Sequence, residues 1–129
     1  MVEIFNPSVA DSAGLTEFAP DPTAAGELVF FHASEGKPLA TPWQVALARS
    51  KLLTELELPD GYILDCACGS GIQLGAHLAL LQRSGIGVEL NVKRAQASAV
   101  NLQAIAKYRN EEGLERMQKT RIVAGDGRV

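Results

Sequence analysis

The rhythm of apolar positions along the chain changes near residue 41. Residues 1–28 hold Pro7, Pro20 and Pro22, several acids, no Lys or Arg and little periodicity. That pattern predicts an irregular acidic arm with one short helical turn near residues 12–18. Residues 27–32 (ELVFFH) read as a short strand or an extended, partly buried segment, and residues 33–40, with Gly36 and Pro38, as a loop. From Thr41 onward, Val45, Leu47, Ala48, Leu52, Leu53 and Leu56 form a stripe at helical spacing. Thr41 suits a helix cap and Pro42 the first helical position. Pro59, Asp60 and Gly61 then make a turn.

The remaining chain alternates. Residues 62–66 are a short apolar run, the mark of a buried strand, and residues 67–71 are a glycine-bearing loop. A helix is expected over 72–82, packing through Ile72, Leu74, Leu78 and Leu81. A strand follows over 86–89. Asn91 caps a long helix to about residue 110, with Val92, Ala95, Ala99, Leu102, Ile105 and Ala106 facing inward. Residues 111–119 read as a charged connection, 121–124 as a third strand, and Gly125, Asp126 and Gly127 as the turn after it. Strands alternating with helices imply right-handed crossovers and a parallel sheet.

Composition adds limits. A chain of 129 residues can bury one core, and no apolar run is long enough to span a bilayer. The N-terminus lacks a secretory signal, so a cytoplasmic location is the expectation. Cys66 and Cys68 are too close for an unstrained disulfide and too few for a zinc site, so they read as small reduced residues, and no metal is expected. Residues 1–60 carry nine acids against three bases, whereas residues 61–129 carry nine bases against six acids. A mildly basic half can face a nucleic acid, but an ordinary solvated helix surface is the preferred reading.

Ligands of open parallel sheets bind at the carboxyl ends of the strands, and three features fall there. The first is the loop Asp65-Cys66-Ala67-Cys68-Gly69-Ser70-Gly71, whose glycines permit a sharp strand-to-helix turn and close approach to the backbone. The second is Glu89, followed by Leu90 and Asn91, where a carboxylate can take both hydroxyls of a ribose. The third is Gly125-Asp126-Gly127, where an Asp between glycines can reach an adenine amino group. Each has a plain structural explanation on its own, as a tight turn, a surface acid or an Asp-Gly turn. A dinucleotide fingerprint would need a third glycine where Leu74 stands.

YILDCACGSG, GVE with Asn91 beyond it, and VAGDG together resemble the first three motifs of class I S-adenosyl-L-methionine-dependent methyltransferases. Asp65, Ala67, Gly69 and Gly71 match the first motif, with Ala67 in place of its usual first glycine. The resemblance implies a Rossmann-like α/β three-layer sandwich with a parallel sheet, truncated after its third strand. Residues 1–40 would be the arm and 41–129 a partial cofactor domain. It implies that Asp65, Ala67, Cys68, Gly69 and Gly71 cradle the methionine part of S-adenosyl-L-methionine. Glu89, with Leu90 and Asn91, would hold the ribose, and Asp126, between Gly125 and Gly127, would contact the adenine. The D-x-x-C-G-S-G form is similar to methyltransferases of RNA and DNA, and Thr41-Pro42 resembles a helix start of RNA guanine-N2 methyltransferases, so RNA is the implied substrate. The acid-Pro-Pro-aromatic segment of such enzymes does not occur, so no catalytic residue is assigned. A non-catalytic Rossmann-like module that binds a nucleotide or a partner is the alternative. His32 and His77 stand alone, Trp43 and Phe30-Phe31 read as core anchors or a lid, and Lys93-Arg94 and residues 107–109 read as a solvated helix face.

Overall fold

Six strands and four helices are built by residues 2–17, 28–33, 40–109 and 111–125, the part of the chain that the computed structural model describes (backbone alone at 111 and 112). In chain order they are β1 (Glu3–Phe5), a 3-10 turn (Pro7–Val9), β2 (Leu15–Glu17), β3 (Phe31–Ala33), α1 (Trp43–Thr54) and β4 (Ile63–Asp65). Then come α2 (Ile72–Leu81), β5 (Gly85–Glu89), α3 (Val92–Arg109), α4 (Glu111–Met117) and β6 (Arg121–Ala124). Most of the 33–40 loop, and Asp126 and Gly127, lie outside the described residues.

One sheet has the order β1-β6-β5-β4, and a separate hairpin pairs β2 with β3. β4, β5 and β6 run parallel, as the alternation predicts, with Asp65 opposite Gly87 and Gly87 opposite Ile122. The sheet is nevertheless mixed, because β1 pairs antiparallel with β6, Phe5 lying opposite Ile122. Within residues 1–40, where irregular chain is expected, residues 3–5 and 15–17 are strands. The helical turn expected near residues 12–18 is strand β2, with Leu15 opposite Ala33 and Glu17 opposite Phe31. Three-residue strands carry too short a pattern to announce themselves, and their pairing partners lie far off in sequence.

Two helical expectations also change. α1 begins at Trp43, with Pro42 in the extended cap position and no side-chain cap from Thr41. The Pro42 carbonyl accepts the first helical bond, from the Ala46 amide at 3.0 Å. Its buried face is Trp43, Ala46 and Ser50, whereas Leu52 and Leu56 are 65% and 58% exposed. The apolar stripe is therefore split: Leu47 packs against the core and Leu53 is half-buried, while Val45, Ala48, Leu52 and Leu56 point outward, and α1 meets α2 through small side chains such as Ala46 and Ala76. Residues 111–117 form a helix rather than a connection, held by buried Met117 and half-buried Leu114. Gly113 permits it: a Cβ there would stand 2.9 Å from the Ala106 carbonyl oxygen.

Side-chain alternation puts Ile63, Gly85, Gly87, Ile122, Ala124 and Phe5 on one sheet face. α2 and α3 cover it through Leu74, Leu78, Ala95, Ala99 and Leu102. The opposite face carries Ile4 and Leu64, 65% and 64% exposed, with Ile86 between them. Among the described residues no helix packs there, so they show a mixed α/β sheet covered by helices on one face and not the second helical layer of the expected sandwich. The third layer lies instead outside α2 and α3, where Leu28, Phe30 and Trp43 close a second apolar cluster with Ile72 and Ile105. α3 is buried on nearly every side, as its run of Ala95, Ala97, Ser98 and Ala99 requires. None of the helices described is long and apolar enough to cross a membrane.

Candidate functional site

The loop after β4 turns within six residues, and two of them have left-handed backbones, Gly69 at φ 54° and Gly71 at φ 79°. The Cys68 amide donates to the Val88 carbonyl at 3.0 Å, tying the loop to β5, and the Gly71 amide donates to the Cys68 carbonyl at 2.8 Å, closing the turn. Gly71 is the cap of α2 and lies directly against Ser98 of α3, where any Cβ would collide with the serine hydroxyl. Gly69 differs, since a Cβ there would meet nothing within 4 Å. The loop is thus clamped at one end and open to a ligand at the other.

Asp65 ends β4 and Glu89 ends β5. Asp65 stands opposite Gly87, and Glu89 is two residues beyond Gly87, so both acids project from the same face at neighbouring strand tips. Asp65 Oδ1 accepts the Ala67 amide at 3.0 Å and Glu89 Oε2 accepts the Asn91 amide at 2.7 Å. A ligand hydroxyl or amine would take Oδ2 of the first and Oε1 of the second. Asn91 caps α3, its Oδ1 accepting the Arg94 amide at 3.0 Å, and Leu90 is 75% exposed beside it. The Gly125 amide donates to the Glu89 carbonyl at 2.9 Å, which brings the third strand end to the second. Asp65, Ala67, Cys68, Gly69, Gly71, Glu89, Leu90, Asn91 and Gly125 thus gather at one end of the sheet. Asp126 and Gly127, expected beside them, lie outside the described residues.

Cys68 reports the field between the acids. Burial pushes its thiol up to about 11, and the Asp65 and Glu89 carboxylates push the same way, against a hydrogen-bonding contact with Ser98 at 3.5 Å. A thiol held that high stays protonated at neutral pH and is a poor nucleophile. Cys66 is exposed, and both cysteines are free.

Several important residues carry no motif. Gly87 makes room for Cys68, since a Cβ there would stand 2.9 Å from its Sγ. Gly75, one position past the missing third glycine, gives the close approach of α2 to α3. Ser98 and Asn101 are buried polar positions on α3 that meet the loop. Their signal in the sequence is a polar residue recurring at helical spacing within a helix otherwise rich in alanine.

His77 Nδ1 lies 2.8 Å from the Ser50 hydroxyl, joining α2 to α1, and Ser50 also donates to the Ala46 carbonyl. Burial lowers the His77 pKa, with Asp65 opposing and Arg49 assisting. Phe30 and Trp43 are core residues, their rings 6.0 Å apart. Arg94, Lys107 and Arg109 are exposed. Among the described residues no group of three or more His, Cys, Asp or Glu is placed to hold a metal. A cleft of about 380 Å³ opens between Val29, Phe31, Val100, Ala104 and Tyr108, and none of the strand-end residues lines it.

No protein-family model, no curated protein and no solved structure matches this chain.

Proposed function

We propose that this chain binds S-adenosyl-L-methionine at the strand ends and is the cofactor-binding part of a methyltransferase acting on RNA. One observation carries the reading: Asp65 and Glu89 share a face at the tips of adjacent parallel strands, on either side of a loop that is open at Gly69. That arrangement suits a ligand with an amino group at one end and vicinal hydroxyls at the other. Asp65 and the loop would take the amino-acid end, Glu89 the ribose hydroxyls, and Leu90 would cover an apolar ring. Bound, the cofactor supplies an electrophilic methyl group. The chain's own residues orient it and exclude water, and none is assigned to proton transfer.

Titration calorimetry with S-adenosylhomocysteine tests the reading. Binding is expected, and Glu89→Gln, which keeps an acceptor for the Asn91 amide, should weaken it about tenfold or more by removing charge-assisted bonds. A folded protein that takes up no S-adenosylhomocysteine overturns it. Transfer of labelled methyl groups to total RNA tests the substrate.

A second reading, a non-catalytic module that docks a partner, is favoured by the exposed Ile4, Leu64 and Ile86 on the open sheet face. It expects no methyl transfer, and loss of partner binding on Leu64→Lys.

A further inference from the structure

Asn101 is fully buried in the middle of α3. Its Oδ1 accepts the Phe31 amide at 2.7 Å, and its Nδ2 donates to the Phe31 carbonyl at 2.9 Å. This amide pairs with one residue of β3 much as a neighbouring strand would. A third bond runs from Nδ2 to the Ser70 carbonyl at 2.8 Å, immediately before the left-handed Gly71. One side chain therefore holds two segments, Phe31 and Ser70, that are distant in sequence. Ser98, one turn earlier on α3, lies under Gly71 and completes the support of the loop.

We propose that Asn101 is a positioning residue that couples docking of residues 28–33 to the conformation of the glycine loop. Occupancy of the strand-end site and ordering of the β2–β3 hairpin then rise and fall together. The physical reason is satisfaction of buried polar groups. Lifting residues 28–33 away would leave Asn101 with the Ser70 carbonyl as the one partner remaining of these three, a costly state that also frees the amide to turn and so weakens its support of the loop. The segment has its own apolar anchors, Leu28 and Phe30, packed with Trp43, so its docking is a separate source of free energy that the loop can draw upon. Linkage makes the effect reciprocal: a ligand that fixes Ser70 and Gly71 tightens the hairpin by the same factor. The ligand half of this inference rests on the function proposed above, whereas the coupling of segment to loop does not.

Amide hydrogen exchange in the unmodified protein, with and without S-adenosylhomocysteine, tests both halves. Without ligand, the Phe31 and Gly71 amides should open as one unit, with protection factors agreeing within about threefold. With ligand, both should gain protection equally. Coupling is overturned if Phe31 exchanges more than about tenfold faster than Gly71 in the free protein. It is also overturned if ligand protects Gly71 and leaves Phe31 unchanged. Protection of neither by S-adenosylhomocysteine ends the proposed ligand, while the free-protein comparison still decides the coupling. In Asn101→Leu, the Phe31 and Gly71 amides should speed up while those of β5 and β6 hold. A uniform increase across all amides would mean that Asn101 is only a structural residue. Should that variant not fold, the unmodified protein alone gives the answer.

Discussion

Ile86 and Gly87 are consecutive in β5 and belong to different surfaces. Gly87 faces α2 and α3, with Ile122, Cys68 and Leu74 so close that even a methyl group would have to displace them. Ile86 shares the other face with Ile4 and Leu64, open to solvent. Both faces are apolar, so hydrophobicity alone did not assign burial. The covered face is distinguished by small residues, Gly85, Gly87 and Ala124, that let helices approach closely, whereas the open face carries the branched Ile4, Leu64, Ile86, Val88 and Val123 together with Arg121. Close packing needs complementary shape, and the glycines supply it.

Substitutions on the two faces sharpen the contrast. The largest effect is expected for Ile122→Ala on the covered face, a loss of about 2–5 kcal/mol in urea unfolding, because a fully buried side chain leaves a cavity. Ile4→Ala, one strand away on the open face, should cost no more than about 0.5 kcal/mol. Equal losses at both positions would mean that something covers the open face in solution. Next comes Gly87→Ala, expected to destabilise by about 1–3 kcal/mol through overpacking against Ile122, Cys68 and Leu74.

A smaller effect should follow pH on the outer side of α2. Burial lowers the folded-state pKa of His77 below its ordinary 6.5, so the unfolded chain takes up the proton first as pH falls. The His77 contribution to stability is therefore present above about pH 6.5 and declines as pH drops through that value towards the folded pKa. Urea midpoints of the unmodified protein and His77→Gln should converge over that interval. The smallest change in stability, within about 0.5 kcal/mol, is expected for Leu64→Lys, which should instead reduce self-association in sedimentation at high concentration.

The glycine loop and the three parallel strands were legible because their signals are local. Asp65 to Gly71 lie within one turn of chain, and the acids sit at ends of apolar runs that can hardly be anything but strands. The buried face of α1 was not legible. Leu52 and Leu53 stand out in its sequence, yet Trp43, Ala46 and Ser50 face inward, where α2 presents Ala76 and a histidine for Ser50 to meet. Short strands in the arm were hidden for a similar reason: β1 exists only because β6, more than a hundred residues later, offers it an edge.

By itself the sequence determined where the chain turns sharply, that the strands after residue 60 run parallel and which acids end them, since period, glycine placement and chain connectivity act over a few residues. Tertiary structure alone decided which apolar surface was covered, that an antiparallel strand closed one edge, and that Asn101 joined residues 28–33 to the loop. Those outcomes depend on which surfaces meet, and a side chain such as Asn101 acquires its partners only when segments distant in sequence arrive at the same place.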